Sequence, residues 1–260
     1  MGVTKQMIKD VHALSMKKHR DAENVFVAEG PKVVADLLPL MKCRQLFATQ
    51  SFLHTLSAPI LRSISSCLEV VDQPMLERLS LLRAPHEALA VFEKPVIQSS
   101  LSSLASLPQS SLCLALDTVQ DPGNLGTIVR IADWFGIENI FASPTTADVY
   151  APKVVQATMG AIGRVKVHYV SLPQLLQAMS SDVAVYGTFL DGENLYTQSL
   201  SPAGLILMGN EGKGISPEVS QYVNCRLYIP PFPEGRATSE SLNVAVATAV
   251  TCAEFRRRTQ

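Results

Sequence analysis

Three short stretches of this chain combine residue types and spacings that can do chemistry on one bound molecule. In DTVQDPGNLGTIVRIADWFG (117–136), Asn124 stands at a loop-to-helix junction with Arg130 six residues further on. Facing a crevice at a helix N-terminus, where anions are favoured, the pair can grip an anionic ligand. Taken alone, the same two residues also read as a helix cap and a surface arginine. In GNEGKGIS (209–216), Gly209, Gly212 and Gly214 permit tight turns and close approach of backbone to a ligand. The stretch fits neither GxxxxGK[ST] nor GxGxxG, and Glu211 between glycines makes a poor phosphate cradle. It suits a ligand carrying hydroxyls or positive charge, although an ordinary glycine-rich turn has the same composition. In RATSESLNVAVATAV (236–250), Ser239 or Ser241 can cap a helix of small residues. Asn243, in the first turn of that helix, needs a partner, because Asn inside a helix is disfavoured without one.

The elements that must position these residues are legible as an alternation. SLCLALD (111–117) is a continuous apolar run, as expected of a strand buried on both faces. Residues 124–136 follow as a helix closed by Gly136, then a strand at 139–143 and a helix at 152–161. Further strands are expected at 183–189, 205–208 and 226–229. Strands alternating with helices predict a mostly parallel sheet in a layered α/β domain, whose ligands sit at the carboxyl ends of the strands. Before residue 100 a smaller α/β domain is expected. It has a helix-like spacing over 4–19, a polar break at 20–24, strands at 25–30, 43–49, 67–71 and 88–93, and a helix opened by Pro31. The serine-rich SSLSSLASLPQSS (99–111) reads as a linker. The expected division is 1–100, a linker at 101–110, and 111–260.

Composition sets the remaining bounds. With 260 residues, 47% of them hydrophobic and 17% charged, the chain can bury a large core. Residues 1–105 carry 12 basic and 10 acidic side chains, a net of +2; residues 106–260 carry 10 and 13, a net of −3. The five cysteines are scattered with no metal-ligand spacing, which points to reduced thiols, no metal site and a cytoplasmic location. MGVTKQMIKD lacks a secretory h-region, and no apolar run is long enough to span a membrane. KKHR (17–20) and FRRR (255–258) are clustered basic patches; Lys17, Lys18 and Arg20 are candidates for contact with a phosphate backbone, although such runs are often solvated ends.

Taken in order, the three blocks resemble the motifs of the SpoU/TrmH branch of the SPOUT RNA methyltransferases. DPGNLGTIVRIADWFG is similar to the first motif, GNEGKGIS to the second and IPP…SESLNVAVATA to the third, and the match covers about 111–256. KKHRDAENVFVAEGPKVVADLL is similar to the start of the substrate-binding domain that often precedes this catalytic domain. The resemblance implies a SPOUT-type α/β domain with a C-terminal trefoil knot, preceded by a small α/β substrate-binding domain. Periodicity alone suggests no knot, since knots are nearly absent from proteins. It also implies a homodimer through the knotted domain and S-adenosylmethionine as cofactor.

By position in the motifs, the implied cofactor residues are Thr188, Phe189, Leu190, Met208, Gly209, Asn210, Gly212, Ile229, Pro230 and Leu242. The implied reaction is methyl transfer to a ribose 2′-hydroxyl of RNA, with rRNA favoured over tRNA. Arg130 is assigned to the reacting nucleotide. Because a guanidinium stays protonated to a pKa above ~12, it suits phosphate clamping better than general-base action. Asn124, Glu211, Ser241 and Asn243 would hold Arg130, ribose and cofactor in register. The competing reading, a catalytically silent RNA-binding protein on the same fold, would show as loss of Asn124, Arg130 or Asn243, and all three are present. A nucleotide-cofactor oxidoreductase needs a GxGxxG after an early strand, which LALDTVQDPGNLG lacks, so that reading is poor. One departure from the family pattern is the longer loop PFPEGRATSE (231–240), which contains Glu234 and Arg236.

Overall fold

The protein is described by a computed structural model covering residues 2–96, 99–233, 239 and 241–258. Glu234 and Arg236 lie outside the described residues. Two compact units divide the chain, Met1–Val96 with Asp148–Arg164, and Ile97–Ala147 with Val165–Gln260. The segment 148–164, expected with the second domain from its place in the sequence, therefore belongs to the first unit.

The first unit is built on strands β1 (Val25–Glu29), β2 (Cys43–Ala48), β3 (Leu68–Val70) and β4 (Ala88–Glu93), in the order β1-β4-β2-β3. β4 runs antiparallel to β1 and β2, while β2 and β3 are parallel. All five residues of β1 are buried, four of them the apolar VFVA run and the fifth Glu29, whose carboxylate accepts from the Ser80 hydroxyl and the Leu81 N–H. The helices are α1 (Lys5–Ala13), α2 (Lys17–Glu23), α3 (Pro31–Leu37), α4 (Gln50–Leu53), α5 (Ala58–Ile64) and α6 (Gln73–Leu79). The expected single helix over 4–19 is thus two, broken at Met16. The supposed polar break at 20–24 is mostly helix, ended by Asn24 in a left-handed conformation (φ 52°).

The reason for the second difference is Arg20, which is 2% exposed. Its guanidinium donates to the carbonyls of Leu14 and Ser15 at 2.8 Å each and pairs with Asp148 at 2.6 Å. A buried charge needs such partners. Arg20 is therefore a structural anchor for the 148–164 segment and presents no charge to a phosphate backbone, contrary to its place in the basic patch. That segment also sets the Tyr150 ring 5.1 Å from that of Phe26.

The second unit carries α7 (Leu101–Ser106), β5 (Leu112–Leu116), α8 (Pro122–Trp134) and β6 (Asn139–Ala142). After α9 (Pro152–Thr158), which lies in the first unit, come β7 (Lys166–Tyr169), α10 (Leu172–Ala178), β8 (Val185–Asn194), β9 (Gly204–Met208), α11 (Pro217–Ser220), β10 (Cys225–Tyr228) and α12 (Val244–Arg257). The six strands form one parallel sheet in the order β10-β8-β9-β5-β6-β7. Every residue of the central β5 and β9 is buried, as expected of a sheet covered on both faces. The serine-rich stretch is ordered as α7. Ser100 caps it, and Leu104 and Ala105 are buried with Cys113, Phe141 and Leu205 in the core of this unit. Its composition reads as linker, but Leu104 and Ala105 give it an apolar face that is buried, while Leu101 stays exposed.

Candidate active site

All three motif stretches lie at the carboxyl ends of strands of the parallel sheet, β5 and β9 side by side and β10 separated from β9 by β8. The first follows β5 and opens α8, the second follows β9, and the third leads from β10 into α12. Asp121, three residues before Asn124, caps α8 by accepting from the Asn124 backbone N–H at 2.8 Å. Asn124 is thereby relieved of the capping role, and its side chain turns outward to two partners. Its amide donates to Glu211 Oε1 at 3.0 Å, and its Oδ1 accepts from Asn243 Nδ2 at 2.9 Å. Neither Ser239 nor Ser241 caps α12. Asn243 does, its Oδ1 accepting from Ala245 and Val246 N–H at 2.9 and 3.3 Å.

The polarity of this chain of side chains is fixed from one end. Burial works to raise the Glu211 carboxyl, but hydrogen bonds from Asn124 and from the backbone amides of Glu211, Asp121 and Gln120 outweigh it and hold the carboxyl below the usual range. Glu211 is then a carboxylate at neutral pH and can only accept. Asn124 must present its NH₂ to Glu211 and its oxygen to Asn243, which leaves the Asn243 oxygen to cap α12. Each donor meets an acceptor, so this cluster has one arrangement.

The second motif is a tight loop shaped by Asn210 and Gly209. Asn210 Nδ2 donates to the Thr118 carbonyl at 2.8 Å, while its Oδ1 accepts from Gly212 and Lys213 N–H at 3.0 Å each. Asp117 closes the loop by accepting from Ser216 N–H at 2.8 Å. A Cβ on Gly209 would lie 2.2 Å from Gly214 C and 2.4 Å from Ile215 N, so only glycine lets the returning chain pass.

Beside it, β8 pairs with β10 through Gly187↔Arg226 and then through Glu193↔Leu227, so residues 188–192 leave the ladder as an excursion. Arg226 clamps this excursion, lying 3.5 Å over the Phe189 ring and pairing with Asp191 at 2.5 Å. Thr188 donates to Met208 Sδ at 3.8 Å, and the Met208 side chain is buried. Met208 therefore offers no exposed side-chain surface to a ligand.

These residues fit S-adenosylmethionine. Leu190 and Leu242 are 68% and 49% exposed, and with half-buried Ile229 and Pro230 they offer uncovered apolar surface at the strand ends for an adenine. The Gly209 and Gly212 backbone leaves room for close approach, and the ionised Glu211 suits a cationic ligand. Among the described residues no cluster of His, Cys, Asp and Glu is gathered as a metal site requires.

Two expected site residues stand apart. Arg130 is exposed on α8 and makes no hydrogen bond or ion pair among the described residues. Trp134, one turn on, is 83% exposed. Ser241 is exposed, and its hydroxyl has no hydrogen-bond partner among the described residues. In the first unit, Lys17 pairs with Asp21 at 2.8 Å and Lys18 is exposed. Sequence reasoning missed Asp117, Asp121 and the hydroxyl cluster after β6. Asp121 preceding Pro122 is a capping signal that could have been read.

Comparison with known proteins places this geometry. The SpoU rRNA Methylase family matches residues 111–253, and an MRM3-like substrate binding domain matches residues 5–90. The chain belongs to the SpoU rRNA methylase family. It is 28% identical over 252 residues to the 23S rRNA (guanosine(2553)-2'-O)-methyltransferase RlmP of Bacillus subtilis, covering 94% of each chain. Among solved structures, a TrmH-family protein from Porphyromonas gingivalis is 38% identical, with a TM-score of 0.85 over 99% of this chain and 100% of that one. An AdoMet-bound rRNA methyltransferase from Sinorhizobium meliloti is 29% identical, with a TM-score of 0.85 over 100% of this chain and 97% of that one. The α/β fold, the preceding substrate-binding domain and S-adenosylmethionine as cofactor thus stand as the motifs implied.

Proposed function

We propose that the protein methylates a ribose 2′-hydroxyl of rRNA, working as a homodimer through a knotted second unit. The observation that carries this is the Asn243–Asn124–Glu211 chain, locked in one polarity beside apolar surface fit for the cofactor. When bound, the cofactor supplies an electrophilic methyl group on a sulfonium. The protein's task is then alignment of a poorly acidic hydroxyl. Glu211, held ionised by the Asn124 amide and by backbone N–H groups, orients Asn124 and the loop instead of serving as a base tuned toward neutrality. Arg130 clamps a phosphate of the target nucleotide and stabilises negative charge developing at O2′. Ser241 and Asn243 position the ribose and cofactor.

Arg130 stands about 9 Å along α8 from Asn124, six residues at 1.5 Å each. Its lack of a partner among the described residues, and the exposed Trp134 on the same helix, support a site completed by a second copy of the chain. The cytoplasmic location, the trefoil knot and RNA docking on the first unit, with Lys17 and Lys18 as contacts, belong to the same reading. The relatives' rRNA activities favour rRNA over tRNA. Transfer of labelled methyl from S-adenosylmethionine to unmodified rRNA and tRNA, followed by nucleoside analysis, tests it. Label in a 2′-O-methylnucleoside of rRNA is the expected outcome. Label only in tRNA selects the alternative substrate, and cofactor binding without transfer to free or ribosome-assembled rRNA selects the silent RNA-binding protein.

A further inference from the structure

Thr118 occupies a backbone conformation that needs an explanation. Its φ is 61°, in the left-handed region, where a β-branched residue is a true outlier. Among the described residues the other non-glycine positions with positive φ are Asn24, Glu87 and Met159, none of them β-branched. Asn24 and Met159 end helices, where left-handed residues are ordinary. Thr118 ends none, and the cap of the next helix lies three residues on.

Its neighbours hold it there. The Thr118 N–H donates to Ser143 Oγ at 2.9 Å, and its hydroxyl lies 3.2 Å from Asp117 Oδ1 and 2.9 Å from Thr145 Oγ1. Ser143 in turn lies 3.0 Å from Thr146 Oγ1, which donates to the Leu116 carbonyl. The directions are consistent. Asp117 takes the Thr118 proton, and Thr145 donates to Thr118 or Ser143. Strain kept by surroundings that over-determine it points to a function.

That function follows from the Thr118 carbonyl. It accepts from Asn210, and a carbonyl can only accept, so Asn210 must turn its oxygen to Gly212 and Lys213 N–H. We propose that Thr118 is a positioning residue: its clamped left-handed backbone aims the carbonyl that holds Asn210 and, with it, the turn carrying Glu211. The proposal rests on reading 209–216 as the cofactor and catalytic turn. Serine and threonine after β6 thereby shape the site without touching substrate.

Three substitutions separate backbone from side chain. Thr118→Val keeps the branched shape but loses the hydroxyl, so the residue escapes to extended backbone; Thr118→Gly and Thr118→Asn both accept the left-handed conformation. In Thr118→Val, Gly212 and Lys213 amides are expected to exchange with solvent at least about tenfold faster. Its kcat should fall at least about tenfold with KM for RNA within about threefold, and Gly or Asn at 118 should restore both readouts to within about threefold of wild type. Unchanged exchange and kcat in Thr118→Val would overturn the proposal, as would a Thr118→Gly variant as impaired as Val. If Thr118→Val fails to fold, Ser143→Ala releases the same N–H and should speed the same two amides; unchanged exchange there also overturns it. Exchange needs no activity, so an inactive wild-type protein would defeat the proposed function while the clamp is still tested.

Discussion

Asn243 does two jobs with one amide, and a pair of substitutions can divide them. Its oxygen caps α12 while its NH₂ holds Asn124. Asn243→Asp keeps the capping oxygen and removes the donor; methyl transfer should fall while thermal stability stays near wild type. Asn243→Ala removes both and should also cost about 1 kcal/mol of stability, the usual value of a cap. Thermal denaturation alongside initial rates checks the pair. Arg130 has the opposite character, with no structural partner among the described residues. Arg130→Ala should lower kcat by about 100-fold or more while leaving cofactor affinity by calorimetry within about twofold. A parallel loss of cofactor binding would remove it from the nucleotide side of the site. The motif residues were legible because three ordered blocks coincide. The capping role of Asn243 was not, since Ser239 and Ser241 precede it and are equally good caps by type.

Elements tell a similar story. The core strands were readable because VFVA, LCLAL and GLILM are short, continuous apolar runs bounded by polar or turn residues, the length of buried strands. β7, which carries Lys166 and His168 in four residues, offered no such run and went unidentified. The excursion at 188–192 is invisible in sequence, because it depends on where β10 resumes pairing. Gly209 marks the other crossing. Gly209→Ala would drive a methyl into the Gly214–Ile215 backbone, which has no side chain to move aside. Cofactor binding should fall beyond detection by calorimetry, with a lowered melting temperature, whereas Gly212→Ala, whose Cβ meets only Asn210 Oδ1 at 3.8 Å, should bind nearly as wild type.

Across the whole molecule, the FRRR patch proved committed to the fold. Arg256 donates to the Phe135 carbonyl at 2.7 Å, and Arg258 to the carbonyls of Tyr196, Leu195 and Gln198. Both Arg257 and Arg258 pair with the buried Glu254. Hydrogen bonds from Arg257 foremost, against the opposing effect of burial, and then from Arg258 hold the Glu254 carboxyl down to about 2. Its folded value lies below its unfolded one, near 4.5, so its stabilisation is present above about pH 4.5 and is lost as pH falls toward 2. Glu254→Gln should therefore lower the melting temperature at pH 7 and flatten the fall of stability over that window, converging with wild type at its acid end. If the protein is the proposed homodimer, Trp134→Glu should shift it to monomer in light scattering at micromolar concentration. It should reduce methyl transfer if Arg130 serves the other copy's site.

The division of the chain bears on how the protein can be cut apart. A fragment started at the serine-rich stretch would carry 148–164 without the surface that covers it. Val149, Val154 and Val155, each at most 1% exposed in the intact protein, would face water, and Asp148 would lose its arginine. Such a fragment is a candidate for inclusion bodies when expressed, and its failure would be mistaken for a catalytic domain that cannot fold. Supplying residues 2–96 in trans, or recoding the valines of that segment as polar residues, is the route to a soluble second unit.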